Sequence, residues 1–340
     1  MSLHRPILRG TLPLSDMVGA LRAAAEDTRL RILALLAEGE LSVSDLTDIL
    51  GQSQPRISRH LKVLSEAGLV ERHREGAWAF FRIAEEGSAR LLQQILSALD
   101  DGDAALSADR ERLAAVRGER SRAAQSFFAR LAPRWDELRS LQVAEEAVEE
   151  AVLRLVGPDR LGAVLDLGTG TGRMLQLLAP LAERATGLDA SHAMLSVARA
   201  NLARAGQSRV DLRQGDIYAP SLGRGAFDLV IVHQVLHYLD DPARALAQAA
   251  RLLAPGGRLL VVDFAPHGLE FLRETQAHRR LGFAPDQVCG WLEEAGLTAE
   301  HAGDLAPPEA SDGKLTVSLW LGRDRQHAIQ PRTDATREVA

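Results

Sequence analysis

The chain has 340 residues, of which 46% are hydrophobic and 25% charged, with a formal net charge of −6. At roughly 100–200 residues per domain this length predicts two domains, and the ordinary apolar content excludes a largely disordered chain. A single cysteine, Cys289, excludes an intramolecular disulfide and a multi-cysteine metal cluster, and it fits a reducing cytoplasm. Because no apolar stretch approaches the roughly 20 residues that cross a bilayer, we expect a cytoplasmic protein without a membrane partner.

The first hundred residues follow the order helix, helix, glycine turn, helix and hairpin, which is the plan of a winged helix-turn-helix. Ser42 is followed by Asp45 three residues later, a spacing that predicts a capping box at the start of the second helix. Glu75 and Gly76 predict a tight turn between two strands. The predicted elements are helices over residues 15–37, 42–50, 53–67 and 88–99, and strands over residues 69–74 and 77–83.

The third of these helices has one apolar and one cationic face. Ile57, Leu61 and Leu64 share the first face at 100° per residue and are expected to be buried. No acidic residue lies between Gln52 and Ser65. Arginine pairs with guanine and glutamine with adenine, while lysine and serine contact phosphates, so we expect this face to bind double-stranded operator DNA, the alternative being a solvated helix surface. The candidate DNA-binding residues are Gln54, Arg56, Ser58, Arg59, His60 and Lys62 on the helix and Arg72, Arg74 and Arg82 on the hairpin.

Three stretches carry a family pattern: residues 21–33 (LRAAAEDTRLRIL), 53–61 (SQPRISRHL) and 67–70 (AGLV). They closely resemble the ArsR-type repressors, which implies a homodimer that represses transcription until an inducer binds. The thiolate sensors of that family carry cysteines where this chain has Ser42 and Ser44, and the helix after the hairpin contains no histidine. Since hydroxyls are poor ligands for soft metals, we expect no metal, and the inducing signal must enter elsewhere.

A linker follows, rich in arginine, glutamate and alanine, and it is predicted to be helical over residues 107–139 with a break at Pro133. Within it, four apolar residues at helical spacing are expected either to cover a ligand cleft as a lid or to pack in a dimer interface. Those residues are Phe127, Phe128, Leu131 and Trp135. The expected divisions of the chain are a winged-helix domain over residues 1–100, the linker over 101–145, a second domain over 146–324 and a polar tail over 325–340.

From residue 163 onward, short apolar runs alternate with helical segments, which predicts an α/β, Rossmann-like parallel sheet covered by helices on both faces. The first strand leads into a turn with three alternating glycines, which lets a ligand approach the backbone. Arg173 stands where a dinucleotide fingerprint requires glycine. Asp166 precedes the glycines, Asp189 ends the next strand, where an acid accepts ribose hydroxyls, and Asp216 follows one strand later. Three carboxylates without a phosphate-binding lysine favour a cationic ligand such as S-adenosylmethionine.

Strands are expected over residues 163–167, 185–188, 210–214, 227–232, 258–264 and 315–321.

The motifs of this second domain are LDLGTGTG at residues 165–172, GLDAS at 187–191, GDI at 215–217, FDLVIVHQVLHYL at 227–239 and LLAPGGRL at 252–259. They strongly resemble a class I methyltransferase, especially the small-molecule branch similar to ubiquinone-biosynthesis enzymes. The resemblance implies S-adenosylmethionine or S-adenosylhomocysteine as the ligand, with Asp166 and the glycines near the methionine moiety, Asp189 at the ribose, and Asp216 and Met194 at the adenine. The candidate cofactor-binding residues are Asp166, Gly168, Gly170, Gly172, Asp189, Ala190, Met194, Asp216, Ile217 and His233.

The sequence leaves the chemistry open. DNA base methyltransferases carry Asn or Asp, two prolines and an aromatic residue after the fourth strand, where this chain has His233 and Gln234. His237 is a candidate general base because its unperturbed pKa lies near 6.5; the alternative is a histidine that packs beside the cofactor.

Two functions of the whole protein remain as alternatives. The first is a repressor that responds to S-adenosylmethionine or S-adenosylhomocysteine, and the alternative is an active small-molecule methyltransferase with an autoregulatory DNA-binding domain.

Overall fold

The computed structural model describes residues 12–75, 78–84, 88–132, 145–207, 210–307 and 315–325. The chain divides into two units, Met1–Ala123 and Ala124–Ala340. Within the described ranges, no helix combines the length and the apolar character that a bilayer crossing requires. Each unit has its own buried apolar core.

The first unit is helical with a small antiparallel sheet, as the winged helix-turn-helix pattern predicts. Ile57, Leu61 and Leu64 are buried in its core, which confirms the expected apolar face of the third predicted helix. Up to residue 131 the elements are α1 (Leu14–Ala24), α2 (Asp27–Ala37), β1 (Leu41–Ser42), α3 (Val43–Leu50), α4 (Gln54–Glu66), β2 (Val70–Glu75), β3 (Trp78–Ile83), α5 (Ala89–Ser97) and α6 (Ala104–Leu131). The strand order is β1-β3-β2, and both pairings are antiparallel.

Two helix starts in this unit show where local patterns suffice and where they do not. The capping box is present: Ser42 Oγ accepts the Asp45 N–H at 3.2 Å, and the Asp45 carboxylate accepts the Ser42 N–H at 3.0 Å. The single helix expected over residues 15–37 is wrong, because it is interrupted between α1 and α2. There Glu26 has an extended backbone, and its carboxylate accepts the Arg29 N–H at 2.9 Å. Glutamate is not among the residues that usually mark an N-cap, so the interruption left no recognisable signal.

Helix α6 is tied to the first unit by a buried ion pair. Asp109 is 1% exposed, and its two carboxylate oxygens accept hydrogen bonds from Arg31 of α2 at 2.6 and 2.7 Å. Arg112, one turn further along α6, also pairs with Asp109. The predicted break at Pro133 and the position of Trp135 lie outside the described residues.

The second unit contains a sheet of the order β6-β5-β4-β7-β8-β10-β9. Strands β4 to β8 pair in parallel, as expected, but β10 pairs antiparallel with both β8 and β9. The expectation of a wholly parallel sheet is therefore wrong at this edge. From residue 132 the elements are α7 (Glu145–Val156), β4 (Leu161–Leu167), α8 (Arg173–Leu178), β5 (Ala182–Asp189), α9 (His192–Arg204), β6 (Asp211–Gln214), β7 (Phe227–His233), α10 (Pro242–Leu252), β8 (Leu253–Phe264), α11 (Phe271–Thr275), α12 (Pro285–Glu294), β9 (Leu297–Leu305) and β10 (Val317–Asp324).

Strand β9 was not predicted, and its composition explains why. It is an edge strand with β10 on one side, and exposed residues alternate along it with half-buried ones. An edge strand tolerates charged residues such as Glu300 and Asp304, which discourage pairing with another chain. Such a segment resembles a polar loop when only its sequence is considered.

Candidate functional sites

The cationic face of α4 is accessible. Gln54, Arg56, Ser58, Arg59 and Lys62 are all exposed. Apart from Lys62, which lies 3.7 Å from the carboxylate of Glu66 on the same helix, the structure gives these side chains no ion pair or hydrogen bond among the described residues. An exposed set of arginine, glutamine and serine side chains on one helix can contact base edges and phosphates.

Of the other four predicted DNA contacts, two have protein partners, one is exposed, and the side chain of one lies outside the described residues. His60 is half-buried, and its Nδ1 lies 3.5 Å from the carboxylate of Glu26; burial lowers the pKa of this imidazole. Arg82 in β3 is half-buried and donates to Glu71 of β2 at 2.8 Å. Arg72 is exposed on β2. Arg74 belongs to the same strand, but its side chain lies outside the described part of the chain.

The glycine-rich turn after β4 is held by the neighbouring strand. The N–H groups of Gly168 and Thr169 both donate to the carbonyl of Leu188 in β5, at 2.7 and 3.0 Å. Gly168 and Gly170 both have positive φ, at 77° and 53°, a region that favours glycine. A Cβ at Gly168 would collide with the side chain of Val235. A Cβ at Gly170, in contrast, would meet nothing nearer than the Gly168 carbonyl at 4.0 Å, so the turn faces open space there.

Asp189, at the end of β5, is fixed by backbone donors on both oxygens. Its Oδ2 accepts the Gly170 N–H at 2.8 Å, and its Oδ1 accepts the Ser191 N–H at 2.7 Å. Burial raises the pKa of this carboxyl, and the two backbone hydrogen bonds oppose that rise. Since a carboxylate has about four lone-pair positions, Asp189 keeps acceptor capacity for a ligand.

The remaining cofactor candidates follow adjacent strands of one sheet. Strands β6, β5, β4 and β7 are parallel neighbours, so the residues at their carboxyl ends share one edge, where ligands of α/β sheets bind. The candidates differ in exposure: Asp166, Met194 and Ile217 are buried, Gly168, Gly170, Asp189 and His233 are half-buried, Gly172 is buried, and Ala190 and Asp216 are exposed. Asp166 Oδ2 also accepts the hydroxyl of Thr169 at 2.7 Å, which braces the glycine turn.

His237 lies in a 3₁₀ turn just after β7 and is 1% exposed. Its Nδ1 lies 2.8 Å from Oδ1 of Asp263, near the end of β8. Asp263 is fully buried, and it also accepts the N–H groups of Leu236 and Phe264, at 2.9 and 2.8 Å. Sequence reasoning singled out His237 but missed Asp263. The available signal was an aspartate inside the otherwise apolar run LLVVDF at residues 259–264.

Two further histidines surround this pair, and sequence reasoning missed both. The ring of His278 lies 4.3 Å from that of His237, and Phe264 has ring contacts with His237, His267 and His278. Burial lowers the pKa of His267 to about 4 and that of His278 still further. These imidazoles are therefore neutral near pH 7.

The two parts of the chain are similar to different known proteins. Residues 26–72 match the family model described as bacterial regulatory protein, arsR family. The arsenic resistance transcriptional regulator ArsR1 of Pseudomonas putida is 42% identical over 100 residues, covering 29% of this chain and 77% of the relative. The chain belongs to the ArsR family. The ArsR-type domain of this protein is thus joined to a second region with its own relatives.

Residues 165–261 of the ArsR-family chain match the model described as methyltransferase domain. The ubiquinone biosynthesis O-methyltransferase of Aromatoleum aromaticum is 31% identical over 176 residues, covering 47% of this chain and 72% of the relative. The solved complex of DhpI with S-adenosylhomocysteine is 24% identical, covers 60% of this chain and 96% of that chain, and has a TM-score of 0.47. The second domain of this ArsR-family protein is a class I methyltransferase domain.

Proposed function

We propose that this protein is a DNA-binding repressor whose methyltransferase domain binds S-adenosylmethionine or S-adenosylhomocysteine and changes operator affinity in response. The observation that carries the proposal is the cradle formed by Asp189 and the glycine turn, present in the same chain as an exposed cationic recognition helix. Arg56 and Arg59 are assigned to base edges in the major groove, and Arg72 to a phosphate beside it.

The cradle fits the cofactor on two counts. Gly170 faces open space and allows a ligand to approach the backbone, and Asp189 presents a fixed carboxylate with unused lone pairs. We assign Asp189 to the two ribose hydroxyls, Asp166 and the glycine turn to the methionine moiety, and Asp216 to the adenine amino group. When bound, S-adenosylmethionine supplies an activated methyl group on a sulfonium centre.

The place where thiolate sensors of the family carry a cysteine has a structural role here. Ser42 is 2% exposed, and its hydroxyl is engaged by the Asp45 N–H in the capping box. Within the described residues, no group of three or more His, Cys, Asp or Glu side chains is placed to hold a metal ion. We propose that the attached methyltransferase domain provides the input.

We propose that helix α6 transmits the effect of ligand binding from the second unit to the first. Near its start, Asp109 is bonded to Arg31 within the first unit. Near its end, the ring of Phe128 lies edge-on to Tyr238 at 4.8 Å within the second unit, and Tyr238 directly follows His237. We propose that ligand binding changes the packing at Tyr238 and orders the end of α6, which is the lid expected from the sequence.

We also propose a homodimer. Leu14, Val18 and Leu21, spaced four and three residues apart, form one face of α1 and are 81%, 37% and 45% exposed. An apolar helix face of this kind favours burial against a second copy. Two recognition helices in a dimer match the two half-sites of a palindromic operator. Analytical ultracentrifugation measures the dimer directly.

The test measures coupling in both directions. Gel-shift titrations with the DNA upstream of the chain's own gene are expected to show operator affinity shifted roughly 5–150-fold by saturating ligand. Linkage requires operator DNA to change ligand affinity by the same factor, which calorimetry measures. In an Asp189→Ala control, DNA binding should persist while the response to ligand is lost. Operator affinity that stays constant with both ligands, in a protein shown to bind them, contradicts the sensor function.

A further inference from the structure

A histidine and a carboxylate meet where the recognition helix α4 packs against the start of α2. Nδ1 of His60 in α4 lies 3.5 Å from Oε2 of Glu26, and the two side chains are 14% and 31% exposed. The same carboxylate oxygen accepts the Arg29 N–H at 2.9 Å, so it also caps α2. Glu26 therefore joins the first turn of α2 to the helix that carries the candidate DNA contacts.

His60 is a group of α4 whose charge can change near neutral pH. An unperturbed imidazole has a pKa near 6.5, whereas an arginine side chain stays charged. Arg56 lies about one turn before His60 on the same side of the helix, and Arg59 directly precedes it. Protonation of His60 therefore adds a positive charge beside the two arginines that we assign to base edges.

The surroundings of His60 oppose its protonation in the free protein. Burial lowers the pKa of the imidazole, and the charge of Glu26 raises it. The neighbouring cations Arg29, Arg56 and Arg59 lower this pKa further. Helices α1 and α3 and strand β2 also pack against α4, but among the described residues they add no charge that acts on His60. The imidazole is therefore largely neutral at pH 7 before DNA binds.

Bound operator DNA changes this balance in two ways. The duplex brings one negative charge for about each 1.7 Å of its axis, and base edges accept hydrogen bonds from the two arginines of α4. Both changes favour a positive charge on the neighbouring imidazole. Because the pKa of His60 is then higher in the complex than in the free protein, formation of the complex takes up a proton.

We propose that the Glu26–His60 pair makes operator binding proton-linked, so that His60 takes up a proton from solvent when the operator binds and affinity rises as the pH falls. The imidazolium donates from Nδ1 to the Glu26 carboxylate and holds α4 against the start of α2, so His60 is a positioning residue. The added affinity is fully present below the pKa of free His60 and is lost as the pH rises through the pKa in the complex. This inference rests on the operator binding proposed above.

The first test compares pH profiles of operator affinity. Gel-shift titrations with the DNA upstream of the chain's own gene are run at constant salt from roughly pH 5.5 to roughly pH 8.5, a range that spans the imidazole pKa. If the operator raises the pKa of His60 by about one unit, wild-type affinity should rise up to roughly tenfold for each bound His60 as the pH falls. His60→Gln cannot be protonated and should lose this part of the profile.

A matched histidine in the second unit provides the control. His301 forms a similar pair with Asp304, at 2.9 Å on β9. The variant His301→Gln should therefore keep the wild-type pH profile, because this pair lies outside the ArsR-type domain. A profile altered equally in His301→Gln and His60→Gln would contradict the assignment to His60.

The variant Glu26→Gln separates the charge of the pair from its structural role. Glutamine keeps an oxygen that can accept the Arg29 N–H, but it removes the negative charge beside His60. The rise in affinity should therefore move to lower pH, while thermal unfolding reports whether the start of α2 is intact. An equal loss of affinity at every pH would show instead that the contact only supports the fold, against the proposal.

A direct measurement on the wild-type chain does not depend on the folding of any variant. NMR titration of ¹³C-labelled histidines in the full chain gives the pKa of His60 with and without operator DNA. This pKa should lie below its ordinary value in the free protein and should rise in the complex.

These outcomes distinguish the inference from the proposed function. Absence of operator binding at every pH overturns the repressor function and this inference together. Operator binding with the same pH profile in wild type and His60→Gln, or a pKa of His60 that the operator leaves unchanged, overturns the inference alone.

Discussion

The recognition helix and the cofactor edge place their functional groups in opposite ways. On α4, Arg56 and Arg59 are exposed side chains on a helix whose other face is buried. At the sheet edge, Asp189 is held by two backbone N–H groups, and the His237–Asp263 pair is buried. Under the proposed assignment, surface groups of the first kind bind DNA without supporting the fold. Groups of the second kind are positioned by the fold, so they are fixed before the ligand arrives.

The comparison predicts that the largest loss of stability comes from neither site but from the scaffold that supports α4. Asp109→Ala removes the buried partner of Arg31. Breaking a buried pair is expected to lower the free energy of unfolding by about 3 kcal/mol, the lower end of the usual range because the Arg31 side chain is still 23% exposed. Urea denaturation of the isolated protein measures the change.

A matched surface pair provides the control for this prediction. Arg110 and Asp101 form an ion pair 3.2 Å apart, with side chains 40% and 100% exposed. Arg110→Ala should change stability by about 1 kcal/mol or less, because water screens exposed pairs. Equal effects of Asp109→Ala and Arg110→Ala would contradict the role assigned to the buried pair.

The second prediction concerns a group that is fixed by backbone. Asp189→Ala removes the acceptor assigned to two ribose hydroxyls, so S-adenosylhomocysteine binding should weaken by roughly 1.5–3 kcal/mol, or about tenfold and upward in Kd. Calorimetry gives the value directly. Asp211→Ala is a suitable control, because Asp211 is exposed at the start of β6 and pairs with Arg213. Unchanged affinity in Asp189→Ala would remove Asp189 from the site.

The third prediction concerns the exposed arginine side chains that we assign to DNA. Arg56→Ala and Arg59→Ala should each cost about 1–3 kcal/mol of specific binding and relax sequence preference. Arg72→Ala should instead weaken binding to all DNA sequences. It should also reduce, by about one, the magnitude of the slope of the logarithm of the binding constant against the logarithm of the salt concentration. Gel-shift titrations at several salt concentrations separate these cases. All three variants should unfold at the wild-type temperature, because each side chain is exposed. A large destabilisation in any of them would show that its side chain supports the fold, against the distinction drawn above.

The elements that could be predicted from the sequence depend on contacts between near neighbours. The capping box joins residues three apart, the apolar face of α4 repeats with the helical period, and the glycine turn directly follows its strand. The break at Glu26 and the edge strand β9 escaped prediction because neither has a distinctive local pattern. The sheet was expected to be parallel because helices alternate with its strands, but β10 pairs antiparallel with both β8 and β9.

The sequence by itself determined the two-domain organisation, the cationic helix face and the order of carboxylates after the strands. Only the tertiary structure decided which side chains meet. Arg31 and Asp109 are 78 residues apart in the chain, and His237 and Asp263 are 26 apart. No periodicity links such residues, because their contact depends on how helices and strands pack together. The candidate base could therefore be named from its residue type, whereas the group that orients it became identifiable only once β7 and β8 were seen side by side.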